Sequence, residues 1–126
     1  MKGEFFAAAV KVFSVNIVYD KEVSGNSTIG IKMIKHIVMW KFKSGTETEM
    51  NRFLDGLRGL MGQIEVLRSL EVGVSVNDEN NYDAVLITTF DSMEDLRKYK
   101  VDPRHVAVAS ICKAIRESRG AVDFEF

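Results

Sequence analysis

The stretch MIKHIVMWKF, which spans Met33–Phe42, decides the fold that the sequence predicts. His36, Val38 and Trp40 fall on one side of its two-residue alternation, and Ile37 and Met39 fall on the other. A period of two is typical of a β-strand. Because large apolar side chains occupy both sides, we expect this strand to be covered on both faces.

The chain beyond this strand predicts alternating helices and strands. Thr46 stands three residues before Glu49, which predicts a capping box at the start of a helix. Asp102 and Pro103 predict the cap and first residue of a later helix, which Gly120 is expected to end. Further strands are predicted at RSLEVGVSV, YDAVLITTF and AVDFEF, and a short helix at DSMEDLRKYK. This order predicts an α+β fold of the ferredoxin-like type, an antiparallel four-stranded sheet with helices on one face.

Residues 1–32 differ from the rest of the chain. A short alternating segment is followed by the polar, turn-rich DKEVSGNSTIG. We predict that 1–32 form an N-terminal extension (an extra strand, an arm or a leader) and that 33–126 form the domain. Glu4 and Lys11 interrupt the pattern of a signal peptide. No apolar stretch approaches the roughly 20 residues that cross a bilayer. We therefore expect a cytoplasmic protein without membrane contact.

Composition argues against several classes of partner. The 126 residues carry a net charge of −1 with no run of Lys or Arg, so nucleic acid is not an expected partner. The single cysteine, Cys112, lies on an apolar helical stripe and is expected to pack rather than react. Two distant histidines give no metal-binding pattern, and no cofactor fingerprint is present. We expect neither a metal nor a cofactor.

One face of the predicted sheet lacks an obvious cover. The helical stripes can cover the face that contains Val38 and Trp40. The opposite face retains four apolar side chains: Ile37, Met39, Val85 and Ile87. A patch of this kind on a monomer is unusual, and a second copy of the same sheet would cover it. The sequence therefore predicts a homodimer packed sheet to sheet.

Five segments in this order make the chain resemble a known family. MIKHIVMWKF, LEVGV, YDAVLITTF, the Y…P.H pattern and VDFEF together resemble the stress-responsive dimeric α/β barrel domain over 33–126. The resemblance implies that two protomers face their sheets to each other and close a barrel. Many members have no assigned activity. A plant member cyclises a linear polyketide by an aldol-type condensation, using the Tyr and His of the Y…P.H pattern.

The resemblance implies a site around that pattern. Tyr99 and His105 match the Tyr/His pair, and His36, Trp40 and Ala84 are expected to line a ligand pocket. Ala84 stands where the cyclase has a histidine. A neutral His105 at a helix N-terminus could act as a base, with Tyr99 as hydrogen-bond donor to an enolate. Alternatively, His105 bonds a backbone carbonyl, Tyr99 fills a corner, and His36 is a core histidine.

Three functions remain open at the level of sequence. The first is a dimeric barrel that binds a small, mostly apolar or aromatic ligand, or has a stress-linked role without catalysis. The second is an enzyme of the cyclase or lyase kind. The third is a barrel-type monooxygenase, which needs a haem ligand or quinol site that the sequence does not show. An open pocket at His36, Tyr99 and His105 would favour the second.

Overall fold

The computed structural model describes residues 32–126. Four strands and three helices follow one another along the described chain. They are β1 (Ile34–Phe42), α1 (Glu47–Arg58), β2 (Ser69–Val74), β3 (Ala84–Phe90), α2 (Met93–Val101), α3 (Pro103–Ile115) and β4 (Arg116–Glu125). This is the predicted order, so the ferredoxin-like α+β fold is confirmed. The predicted extension, 1–32, lies outside the described residues apart from Lys32.

The sheet is antiparallel throughout, with strand order β2-β3-β1-β4. β1 is central and pairs with both β3 and β4, so its residues have a neighbour on each side. Ile37 pairs with Ile87 and Val122, and Trp40 pairs with Ala84 and Arg119. Cross-strand partners point to the same face of a sheet. The register therefore assigns each side chain to one face.

The helices cover one face of the sheet, which we call the inner face. We call the opposite face the outer face. Val38, Trp40 and Leu86 are buried on the inner face. There the Trp40 ring meets the Phe53 ring of α1 edge to face, with ring centroids 5.0 Å apart, an arrangement that aromatic pairs prefer. A single core of apolar side chains thus fixes β1 and β3 against the helices.

The outer face keeps apolar side chains partly exposed. Ile37, Met39, Val85 and Ile87 are each half-buried. β4 adds Val122 and Phe124, which are 51% and 42% exposed. The two β4 residues pair with Ile37 and Lys35, so all lie on one surface. Among the described residues no helix covers this surface.

Two local predictions at helix ends are wrong. Thr46 does precede α1, but its hydroxyl donates to the Lys43 carbonyl instead of accepting from the Glu49 N–H. The last helix ends at Ile115, not at Gly120. From Arg116 onward the chain pairs with β1, so Gly120 lies within β4 opposite Met39. Pairing with the central strand prevails over the glycine signal, because it satisfies the backbone donors and acceptors along the whole edge of β1.

Candidate functional site

The corner between α2 and α3 positions the two residues of the Y…P.H pattern. The Asp102 carboxylate accepts a hydrogen bond from the Arg104 backbone N–H, and Pro103 occupies the first turn of α3. Proline disfavours helical backbone at the preceding residue, so Asp102 is extended and the chain changes direction. Tyr99 ends up beside His105, with ring centroids 4.4 Å apart.

His105 is held through one ring nitrogen. Its Nδ1 lies 3.2 Å from the Lys100 carbonyl oxygen, so the ring donates its Nδ1 proton there. Burial lowers the pKa of His105 below its ordinary value, despite the opposing effect of this hydrogen bond. The imidazole is therefore neutral near pH 7. Its Nε2 is a free acceptor, since no described residue bonds it.

Tyr99 is fully buried between two rings. Its ring contacts Phe90 at 5.1 Å and His105 at 4.4 Å. Burial raises the pKa of Tyr99 far above the ordinary value for a phenol, so the hydroxyl keeps its proton. That hydroxyl has no hydrogen-bond partner among the described residues. An unpaired buried donor costs about 1–3 kcal/mol, so a donor at this place favours binding of a hydrogen-bond acceptor.

His36 lies on the inner face of β1 and is 3% exposed. Its Nδ1 is 2.5 Å from Oδ1 of Asp123, its cross-strand partner on β4. Burial lowers the pKa of His36, and the Asp123 carboxylate opposes this without reversing it. The Nδ1 proton therefore points at Asp123, which leaves Nε2 as the second free imidazole nitrogen of the domain.

The two histidines line one cavity between the sheet and the helices, of about 70 Å³. Val38, Trp40, Phe53, Leu57 and Leu86 form its apolar wall, together with Ala109 of α3. His105, Ala109 and Cys112 recur at spacings of four and three, so they lie on one face of α3. Drug-sized ligands occupy roughly 300–1,000 Å³, so this cavity holds only a small group.

The rim of the cavity is cationic. Lys113, Arg116 and Arg119 are lining residues, and no acidic residue lines the cavity with them. Lys113 and Arg119 are exposed, so the cavity reaches solvent at this end. Cys112 lies beside Arg116, yet burial raises the pKa of its thiol. The thiol is therefore protonated and packs in the wall, as the sequence predicts.

The structure brings most of the predicted site residues together. His36, Trp40 and His105 line the same cavity, and Tyr99 packs behind His105 without reaching the lining. Ala84 does not line it. Ala84 pairs with Trp40 at the end of β3 and instead borders a separate depression, with Met39, Val85 and Tyr82, near the β2–β3 turn. Leu86, two residues further along β3, takes the place expected for Ala84.

Sequence reasoning missed the residues that β4 contributes. Asp123, Arg116 and Arg119 join the site only through the pairing of β4 with β1, which connects residues about 80 positions apart. Extending the last helix to Gly120 also placed both arginines on a helix. The alternation in AVDFEF, which sets Asp123 apart from Val122 and Phe124, was the one available signal.

Within 32–126 no group of three His, Cys, Asp or Glu side chains could hold a metal ion. Among the same residues no helix is both long and apolar enough to cross a membrane.

Comparison with known proteins agrees with the fold. A stress-response A/B barrel domain-containing protein of Arabidopsis thaliana is 30% identical over 82 residues, which cover 62% of this chain and 75% of that protein. The olivetolic acid cyclase of Cannabis sativa is 26% identical over 95 residues, covering 72% and 94%. A solved dimeric protein of unknown function from Bacteroides fragilis, with a ferredoxin-like fold, is 34% identical, with a TM-score of 0.71 and coverage of 75% and 96%.

The antiparallel sheet with helices on one face, and the cavity between them, define an α+β domain of the ferredoxin-like type. The sequence model of the family described as Stress responsive A/B Barrel Domain matches residues 34–126. The chain belongs to this family.

Proposed function

We propose that this protein is a homodimer that binds a small, mostly apolar ligand between sheet and helices and moves a proton on it. The reaction type is cyclase-like or lyase-like, with formation of an enolate next to a carbonyl group. The observation that carries the proposal is the pair of neutral histidines, His36 and His105, which share one cavity with both Nε2 atoms unused. The similarity to a plant cyclase supports it.

The chemistry assigns different tasks to the residues. His105 Nε2 would accept the proton from the carbon next to the ligand's carbonyl group, since a neutral imidazole is required of a base. Tyr99 keeps its proton and lacks a partner, so it is suited to donate to the developing enolate oxygen. Because Tyr99 lies just behind the lining, this donation requires the ligand to reach the α2–α3 corner. Asp123 would orient His36 through the Nδ1 proton.

The hydrogen bond from His105 to a backbone carbonyl is also what a purely structural role predicts. It uses one of the two ring nitrogens, so it is equally the contact that fixes the tautomer of a base. The competing function is a ligand-binding barrel without catalysis. The small size of the cavity is the observation that favours this second candidate.

The dimer part of the proposal rests on the outer face. Ile37, Ile87 and Val122 form a cross-strand row there, and Phe124 is 42% exposed beside it. The Bacteroides fragilis protein with 34% identity is described as dimeric. A two-fold axis between two outer faces would cover both patches at once. We also propose a cytoplasmic location, which the single cysteine supports.

Proton abstraction can be tested without knowledge of the natural substrate. Pentan-2-one in D₂O exchanges the protons next to its carbonyl slowly, and a positioned base accelerates the exchange, which NMR follows directly. We expect His105→Gln to reduce the protein-dependent exchange by about 10²–10⁴-fold. Arg52→Gln, on the exposed surface of α1, is the control.

Two results would decide against this function. If the unaltered protein exchanged the pentan-2-one protons no faster than buffer alone, ligand binding without catalysis would be the better account. Equal exchange by the unaltered protein and His105→Gln, with unchanged thermal unfolding, would remove His105 as the base.

A further inference from the structure

The cavity combines an apolar wall with a rim that carries three positive charges. Lys113 of α3 and Arg116 and Arg119 of β4 line the same space as the two histidines. None of the three forms a salt bridge with a carboxylate among the described residues. Elsewhere in the domain Arg58, Arg68 and Arg104 each pair with an aspartate. Three cations without a carboxylate partner among the described residues thus line one cavity.

The geometry of β4 explains why the arginines converge. Arg119 pairs with Trp40 and therefore lies on the inner face. Ala121, two residues further along β4, pairs with Val38 on the same face. The charge of Arg119 is close enough to His36 to act on that ring, and the charges of both arginines act on the Cys112 thiol. Arg116 follows the last residue of α3 directly, where the helix ends and β4 begins. Their guanidinium groups therefore face a common space.

An anion is the ligand chemistry that fits this rim. Guanidinium groups present donors in a planar fork that matches a carboxylate, and such charge-assisted bonds are roughly twice as strong as neutral ones. The carbonyl end of α3 nearby is negative and repels an anion, so positive side chains are needed there. The apolar wall of Trp40, Phe53 and Leu57 suits a hydrocarbon portion.

We infer that the site selects small organic acids. The carboxylate lies at Arg116 and Arg119, and a short carbon chain enters the apolar cavity between His36 and His105. The inference rests on the proposed function, from which it takes the carbonyl chemistry. It adds that the substrate carries a negative charge. The cavity of about 70 Å³ limits the inserted part to a few carbon atoms.

The test compares two probes that differ at one end, where one has a charged carboxylate and the other a neutral amide. The acid 4-oxopentanoate and the amide 4-oxopentanamide share one ketone and one chain length. The chain has one tryptophan, Trp40, and it lines the cavity, so its fluorescence reports occupancy. Calorimetry on the full chain provides an independent dissociation constant. We expect the acid to bind at least about tenfold more tightly than the amide.

Substitutions assign that preference to the arginines. Arg119→Gln and Arg116→Gln should each reduce the preference for the acid by about tenfold and leave binding of the amide unchanged. Arg119→Lys keeps the charge and should restore part of the preference, which separates a charge effect from the loss of a long side chain at the rim. Arg52→Gln, exposed on α1, should change neither constant. Thermal unfolding confirms that each variant is folded.

The outcomes are distinct from those of the exchange experiment. Equal binding of acid and amide, no binding of either, or arginine variants that keep the preference would overturn the inference. Those results would leave the proposed function untouched, because the His105-dependent exchange of pentan-2-one protons is measured separately. Conversely, arginine-dependent binding of the acid without any proton exchange would leave an organic-acid binding site and remove the catalytic function.

Discussion

The inner and outer faces of the sheet use the same strands for different purposes. On the inner face Leu86 is 2% exposed and packs in a core closed by three helices. Its neighbour Ile87 points outward and is half-buried beside Ile37, which has Val122 on its other side. Because side chains alternate along a strand, neighbouring residues belong either to the core or to an apolar surface that no described helix covers.

The polar groups show the same division. Within the described domain, the two histidines and the unpaired cations of the rim gather at the inner face, at its edge toward β4. The apolar row of β1, β3 and β4 remains outside. In the proposed function, the inner face of one protomer carries the chemistry and the outer face carries assembly. The following experiments can break or sharpen that division.

Truncation of neighbouring residues should give the largest contrast in stability. Leu86→Ala removes a buried side chain of the inner face and should lower the free energy of unfolding by about 2–5 kcal/mol at any protein concentration. Ile87→Ala should cost less, and its cost should grow with protein concentration, because folding and association are coupled in a dimer. Urea unfolding at two concentrations about a hundredfold apart measures both. Equal, concentration-independent costs would contradict the division.

A charge on the outer face should prevent association. Ile87→Lys places an unpaired ammonium in the proposed interface and should raise the dimer dissociation constant by at least about a hundredfold. Val101→Lys, at a helix position that is 74% exposed, is the control and should leave the dimer intact. Light scattering gives the mass. A monomer of 14.2 kDa for the unaltered chain at micromolar concentration would rule out the dimer.

Acid should destabilise the domain by protonating the two histidines of the cavity. Burial lowers the pKa of both His36 and His105 below 6.5, so below that pH the unfolded chain binds protons that the folded chain does not. The free energy of unfolding should therefore be constant above this pH and decrease as the pH falls toward the folded-state values. Urea titrations across this range should show a weaker dependence for His105→Gln. An unchanged slope would mean that His105 titrates normally.

Removal of the N-terminal extension should have the smallest effect. The four strands and three helices of 33–126 form a complete sheet and core. We therefore expect 33–126 to unfold within a few degrees of the full chain, well under the shift of about 4–8 °C that 1 kcal/mol produces in a domain of this size. Differential scanning calorimetry on both chains tests this. A truncated chain that stays unfolded, or one that becomes monomeric, would show that the extension belongs to the sheet or the interface.

Local signals were reliable where one interaction dominates. The Asp102 cap and Pro103 predict the start of α3, because a cap and a restricted backbone act within three residues. The end of α3 was predicted at Gly120 and lies at Ile115, since the pairing of β4 with β1 decides it. Likewise only this short corner separates Tyr99 from His105, and their rings lie 4.4 Å apart.

The sequence by itself determined the order of strands and helices, the alternation that gives the sheet two apolar faces, and the Tyr99–His105 corner. These features depend on periodicity and on neighbours a few residues apart. Only the tertiary structure decided that Asp123 meets His36, that Arg116 and Arg119 surround the cavity, and that Leu86 rather than Ala84 lines it. The physical reason is register. The pairing of β4 with β1 joins distant segments, and a shift of one residue in β4 would send Asp123 and Arg119 to the outer face.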